Sequence, residues 1–442
     1  MYKRQVQQTL LFQEILDLGL QHHTAGNLSK AKAIYQELLQ ADPNHPDALH
    51  LLGVIYHQVG ENDRAVDLIT KAITIKPKYP DTYFNLGLIF QKFGKLDEAI
   101  TSYKEVIALK PDYAAAHNNV GLVFKVKGRN QDAVRSFREA LSIKPDYAEA
   151  DCNLGSIYQE QGYIEEAVKQ MDMGLSCKPE KVGWRIKKAL FFPVIPQSEE
   201  DIQTRRDTLT QNIAALTNEN LVVSDPALDI GITNFYLAYH NLNNRSLMQD
   251  IAKLYIKACP ELVYEAQHCQ SGQRGEKKDV LRIGFLSSFF VTHSIGRLTR
   301  GIIEHFSRDL FEVIIFRFPG KKDYISEAID RAADTVVTLT RNLKKDRQII
   351  GGEELDILFY PDIGMDPYTY FLSFARFAPV QAVSWGHPDT TGIPNIDYFI
   401  SSALLELPEA SSHYSERLIP VSYTHLRAHE TRHDLVCRLL LE

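Results

Sequence analysis

No feature narrows the possible folds of this chain more than a strict 34-residue phase across its first 180 residues. Glycine stands at Gly19, Gly53, Gly87, Gly121 and Gly155, and proline at Pro43, Pro77, Pro111, Pro145 and Pro179. Alanine keeps the same step at Ala31, Ala65, Ala99, Ala133 and Ala167. An apolar residue precedes each glycine, and three positions after it come His22, Tyr56, Phe90, Phe124 and Tyr158. Five in-phase copies imply a stacked array, because a unit this short buries its apolar face only against its neighbours.

The pattern resembles the tetratricopeptide repeat (TPR), whose unit is a pair of antiparallel helices. Glycine and alanine are then where the two helices approach closely, and the aromatic fills the space toward the next repeat. Proline follows the second helix because it cannot extend it. The resemblance predicts five helix pairs over 11–180 forming an α-solenoid with a concave groove. It places Asn85, Asn119 and Asn153 in that groove, with Leu51 and Asp17 breaking the row. A ladder of asparagines offers both donors and acceptors, and so can hold the backbone of a peptide acceptor without reading its side chains.

The remaining 260 or so residues are long enough for a further domain. No apolar run is long enough for a membrane helix, and residues 1–10 lack a signal peptide's apolar core. The expectation is a cytoplasmic protein that does not engage a membrane. A net charge of −7 points away from nucleic acid as a partner. The five cysteines are scattered without a CxxC pair, which predicts free thiols and no metal site. The two ends read differently. Residues 421–431 and 435–442 resemble a translated transposon sequencing adapter, and residues 1–5 match GTG TAT AAG AGA CAG, its reverse complement over the transposon end. Residues 1–5 and 420–442 are therefore expected to be adapter-derived, and the chain to be a fragment.

Residues 181–278 lose the repeat and read as an intervening helical region. Helical patterns lie near 199–216 and 250–259, an aromatic helix carries His240, and a polar linker covers 270–279. From 279 to 419 the pattern changes again. Short β-rich runs at 281–287, 311–318, 335–338, 355–360, 380–385 and 396–400 alternate with helical stretches, which predicts a parallel, doubly wound α/β sheet. Ligands in such sheets lie outside the carboxyl ends of the strands. Neither G-x-G-x-x-G nor a P-loop is present there. The loops offer His293 just before a helix, Asp362 and Asp366 in Tyr360-Pro-Asp-Ile-Gly-Met-Asp366, and a small-residue stretch ending Thr390-Thr391-Gly392. A polar turn is the simpler reading of the two aspartates.

Three segments, LRIGFLSSFFVTHSIGRLTRGIIEHF, LFYPDIGMDP and APVQAVSWGHPDTTGIPNIDYF, resemble the Spindly and protein O-GlcNAc transferase family. Where animal members carry S-S-D-F-x-x-H-P, Phe289 replaces the aspartate and Ser294 the proline, while His293 is retained. The family's G-Y-P-G-T-S-G loop matches Gly386–Gly392. The resemblance implies the N-terminal Rossmann-like half of a GT-B glycosyltransferase, with the C-terminal half missing and the fragment inactive. It implies inverting sugar transfer from a nucleotide-sugar, UDP-GlcNAc first, to Ser or Thr of a protein, with no cofactor. His293 is the candidate catalytic residue. His387, Thr390, Thr391, Gly392 and Asp362 are the candidate contacts to donor or acceptor. A peptide-binding scaffold without catalysis and a protein N-glycosyltransferase are the alternatives.

Overall fold

A computed structural model describes the backbone of residues 2–270, 278–320 and 322–421, with side chains from residue 10 onward. The chain divides into two compact units, Met1–Tyr158 with Lys169–Cys177, and Gln159–Val168 with Lys178–Glu442.

The repeats form ten helices: α1 (Tyr2–Thr24), α2 (Leu28–Ala41), α3 (Pro46–Gln58), α4 (Asn62–Ile75), α5 (Pro80–Lys92), α6 (Leu96–Leu109), α7 (Ala114–Val126), α8 (Asn130–Ile143), α9 (Ala148–Glu160) and α10 (Ile164–Cys177). They are the five expected pairs. The phased alanines are fully buried. The phased glycines have a more specific cause than backbone approach. A Cβ on Gly19, Gly87 or Gly121 would lie 2.4–2.6 Å from the ring of Tyr35, Tyr103 or Phe137, and one on Gly53 would lie 2.7 Å from Ile69. A large side chain sixteen residues later fills each notch. A second phased set, Gly26, Gly60, Gly94, Gly128 and Gly162, takes positive φ in the turn between paired helices, where a Cβ would be strained.

The second unit begins with helical elements: α11 (Val182–Ala189), α12 (Glu199–Thr217), α13 (Pro226–Asp229) and α14 (Arg245–Ala258). The aromatic segment forms a 3₁₀ turn, Phe235–His240, in place of the expected helix. His240 is buried in it with its ring edge-on to Phe192. The sheet follows: β1 (Leu281–Leu286), β2 (Phe311–Arg317), β3 (Thr335–Thr338), β4 (Ile357–Tyr360), β5 (Val380–Ser384), β6 (Tyr398–Ser402) and β7 (Arg417–Val421). Helices α15 (Ser294–His305), α16 (Tyr324–Ala332), α17 (Leu343–Gly352) and α18 (Pro367–Leu372) lie between strands.

Among the described residues the strand order is β3-β2-β1-β4-β5-β6-β7, with every neighbouring pair parallel. Both faces are buried, which is why the strands read as apolar runs without alternation. Ile283, Phe285, Val313, Ile315, Ile357 and Phe359 face α15 and α16. Leu286, Ile314, Phe316, Leu358 and Tyr360 face a larger core that includes α14 and α18. The chain builds outward from β1 on one side, then restarts with β4 on the other. The carboxyl ends of β1 and β4 therefore flank a topological switch point, where a sheet of this kind opens a crevice.

β7 was not expected. It pairs Pro420 with Ser401 and Val421 with Ser402, so the sheet runs two residues past the anticipated boundary at 419. The rest of the segment assigned to an adapter lies outside the described residues, as does Met1.

Candidate functional site

The loops after β1 and β4 are tied together by two serine–aspartate pairs. Ser287 Oγ donates to Asp362 Oδ1 at 2.5 Å, and Ser288 Oγ donates to Asp366 Oδ2 at 2.8 Å. Asp366 also caps α18 by accepting from Thr369 N–H at 2.9 Å, and Arg341 reaches it at 3.9 Å. Asp362 has no exposed surface, and its Oδ2 has no hydrogen-bond partner. Burial pushes its carboxyl up to about 8, against a smaller opposing effect of the Ser287 hydrogen bond. That shift favours the neutral form, which can donate as well as accept. Asp362, the expected ligand contact, is buried in the wall of the crevice, where its bond to Ser287 braces the two loops. Ser287 and Ser288, passed over as candidates, are the other half of that brace.

His293 closes the β1 loop as the N-cap of α15. Its Nδ1 accepts from Ile295 N–H at 3.2 Å, and its ring stacks on Phe289 at 4.5 Å. The phenylalanine that departs from the family motif is thus the surface on which the histidine rests. With Nδ1 accepting, the neutral ring carries its proton on Nε2.

The loop after β5 was expected to present His387, Thr390, Thr391 and Gly392 to a ligand. All four are buried. His387 packs edge-on to Phe235 at 4.8 Å, with Nε2 3.2 Å from the Phe235 carbonyl. Burial lowers its pKa to about 4. Thr390 Oγ1 donates to Glu416 Oε2 at 2.7 Å, Thr391 N–H donates to Glu416 Oε1 at 2.8 Å, and the Thr391 hydroxyl also reaches Glu416. Gly392 has a φ of +70° and lies against the backbone of Met248, where a Cβ would meet the carbonyl at 2.4 Å. The His387 ring and the Thr390 and Thr391 hydroxyls are thus already bonded within the fold, and these contacts hold the loop's shape. No local motif announces Glu416, which lies 25 residues downstream on the approach to β7.

The part of this loop that reaches the crevice is its start. Ser384, Trp385 and Gly386 meet Ser294, Ile295 and Pro361 around a cleft of about 180 Å³. Gly386 N–H donates to the Pro361 carbonyl at 3.1 Å, and a Cβ there would sit 2.3 Å from the same oxygen. The loops after β1, β4 and β5 thus converge at one edge of the sheet. His293 sits at the head of the helix that lines the cleft. Farther along the loop, Asp389 accepts from Asn244 at 2.8 Å, and burial pushes its carboxyl up to about 6.

In the repeat unit the three asparagines are half-buried. Asn85 Nδ2 lies 2.7 Å from His50 Nε2, and Asn153 Nδ2 donates to Asn118 Oδ1 at 3.0 Å. Asn119 Oδ1 accepts from Asn118 at 3.3 Å. Two of the three are therefore bonded to a residue of the preceding repeat, 35 positions back. Each amide retains donor or acceptor capacity beyond that bond.

Comparison with known proteins agrees with this architecture. Residues 22–86 match a tetratricopeptide repeat profile, and 92–128 and 123–162 match a TPR repeat profile. Residues 240–433 match glycosyl transferase family 41. A UDP-glucose:protein N-beta-glucosyltransferase of Actinobacillus pleuropneumoniae is 29% identical over 174 residues, covering 34% of this chain and 27% of that protein. A probable UDP-N-acetylglucosamine–peptide N-acetylglucosaminyltransferase SPINDLY of Solanum lycopersicum is 28% identical over 147 residues, 31% of this chain and 16% of its own length. The chain thus spans about a quarter or less of these curated relatives. In fold it is similar to an O-GlcNAc transferase mutant of Thermobaculum terrenum, with a TM-score of 0.53 and 19% identity, covering 77% of this chain and 57% of the other. The chain is a tetratricopeptide array followed by a segment that matches glycosyl transferase family 41.

Proposed function

We propose that the protein this chain represents transfers a sugar from a nucleotide-sugar to proteins recruited by its repeats. The family 41 match over a segment whose loops converge at a switch-point crevice carries this reading. The donor we favour is UDP-GlcNAc and the acceptor a Ser or Thr hydroxyl, in the cytoplasm. In that reaction the acceptor oxygen bonds to the anomeric carbon as the bond to the diphosphate breaks. The hydroxyl proton leaves to a base, and the nucleoside diphosphate departs with the bonding pair. His293, held by its cap and by Phe289, would serve through Nε2–H, orienting the acceptor or the departing phosphate by hydrogen bonding. It would act as a base only after giving up the cap. The backbone at Trp385–Gly386 and the Ser294 hydroxyl are the polar groups best placed to meet the sugar. Asn85, Asn119 and Asn153 would use their remaining amide capacity on the acceptor backbone.

Transfer of glucose to asparagine is the second reading, favoured by the longer match to the N-glucosyltransferase. The test is to express the full reading frame and supply UDP-GlcNAc or UDP-glucose with a peptide containing Ser, Thr and Asn. The modified residue is then mapped by electron-transfer fragmentation. Hexosamine on Ser or Thr supports the first reading; hexose on Asn replaces it with the second. Absence of transfer from either donor by a folded enzyme would sink both.

A further inference from the structure

The second unit holds another cavity, of about 360 Å³, on the far side of the loop that follows β5. Its chemistry differs from that of the crevice. Phe399 and Tyr414 are buried lining residues, with ring centroids 4.5 Å apart. Glu406 enters it, held by Tyr414 OH at 2.9 Å and by the Ser401 hydroxyl. Both of those partners are neutral donors, so the carboxylate is oriented without being neutralised. Among the described residues Glu406 makes no ion pair. Asp389 also lines the cavity, but it is already served by Asn244, whose Oδ1 accepts from Arg206 at 2.5 Å. His413 is the one basic residue of the described lining.

The lining also includes Leu405 and Leu407, 70% and 62% exposed. Exposed leucines gathered beside an oriented, unpaired carboxylate define an amphipathic receptor: apolar outside, anionic within. A phosphate or carboxylate ligand is disfavoured by the two acids. A free hexose would place hydroxyls against the leucines. A long side chain with an aliphatic stem and a cationic head fits both parts.

We propose that this cavity receives an arginine side chain presented by a partner protein. The methylene stem covers Leu405 and Leu407, and the guanidinium donates to Glu406 while lying near the aromatic lining. Arginine is preferred to lysine because its planar head can pair with a carboxylate and stack on a ring together. The cavity shares Trp385 with the crevice and none of its other lining residues, and the proposal does not rest on the sugar-transfer reading.

The test uses the 442-residue chain with Trp184→Phe, which leaves Trp385, itself a lining residue, as the reporting indole. N-acetyl-arginine amide is titrated against its neutral citrulline isostere. The expected result is saturable quenching by arginine, about tenfold weaker with citrulline, as for loss of a hydrogen bond to a charged group. Glu406→Gln, which keeps acceptors for Tyr414 and Ser401, should erase the arginine–citrulline difference while leaving the thermal midpoint in place. Leu407→Ala should weaken both ligands by the same factor. Equal binding of citrulline and arginine to the parent chain would overturn the proposal. So would a ratio unmoved by Glu406→Gln, full competition by glucose, or no saturable quenching by arginine. Failure of sugar transfer would leave these results unchanged.

Discussion

The two units solve the same problem, burying apolar surface around glycines, by opposite routes. In the repeats the partner of each glycine is sixteen residues away and recurs with the phase: Tyr35, Ile69, Tyr103 and Phe137 fill successive notches. In the α/β unit the partners of Gly386 and Gly392 are Pro361 and Met248, on other elements and without recurrence. Redundant local packing makes a repeat array tolerant, since each unit answers chiefly to its neighbours. The crevice depends on single long-range contacts and has no second copy of any of them.

The comparison breaks most severely at glycine. In Gly386→Ala the new methyl meets a backbone oxygen that already accepts from Gly386 N–H and from Ser384 Oγ. That oxygen cannot withdraw without dismantling the loop. We expect a loss of more than about 3 kcal/mol in a urea melt of the second unit. Gly87→Ala meets the ring of Tyr103, a side chain that can shift, and should cost about 1–3 kcal/mol, confined to that repeat. Equal costs would show that local redundancy confers no tolerance.

His293→Ala comes next. Loss of the N-cap costs about 1 kcal/mol of stability, and a positioned catalytic hydrogen bond is worth roughly 10²–10³ in rate. Under the proposed reaction, kcat of the full-length protein should fall by that factor with binding to the repeats intact. His293→Asn, which can still cap the helix, should recover the stability and not the rate. Recovery of both by Asn would reduce His293 to a cap.

A smaller effect separates the units by pH. Asp151 in α9 is buried with neither carboxylate oxygen partnered, and desolvation raises its pKa to about 6. The folded state binds its proton more tightly than the unfolded state does. Stability of the repeats is therefore lost as pH rises from about 4 through 6, and stays reduced above that. Asp151→Asn should stabilise the array by on the order of 2 kcal/mol at pH 7 and by little at pH 4. His387 in the second unit has the opposite sign. Its lowered pKa means that stability is lost as pH falls from about 6.5 through 4. Thermal melts of each unit across pH 4 to 8 would separate the two slopes, and parallel slopes would remove the assignment.

The smallest effect is in the groove. Asn153→Ala removes one hydrogen bond, to Asn118, and should cost about 1 kcal/mol of stability. If the asparagines also hold an acceptor, peptide affinity should fall beyond what Asn118→Ala produces by fluorescence anisotropy. Identical affinities for the two variants would leave the ladder a structural seam.

The sequence by itself determined the repeats, the positions of six of the seven described strands and the three loops that matter. Those follow from periodicity and from apolar runs flanked by turn residues, signals confined to a few neighbouring positions. Even there it missed the side chain in each glycine's notch, because a contact at sixteen residues is invisible to a reading that compares equivalent positions. β7 escaped because Pro420 and Val421 fell inside the segment expected to be adapter-derived, which left only Arg417-Leu-Ile419 to read, followed by a proline that a sheet accepts at its edge. What only the tertiary structure decided is which side of each loop faces the crevice. His387, Thr390 and Thr391 have the chemistry of ligand contacts, but Phe235 and Glu416 claim them from 152 and 25 residues away. A buried hydrogen-bonding group must be satisfied by whatever the fold brings to it, whereas residue type records only what it could bond. The sequence could therefore name the loops, while the packing chose Trp385, Gly386 and Ser294 as the residues that line the cleft.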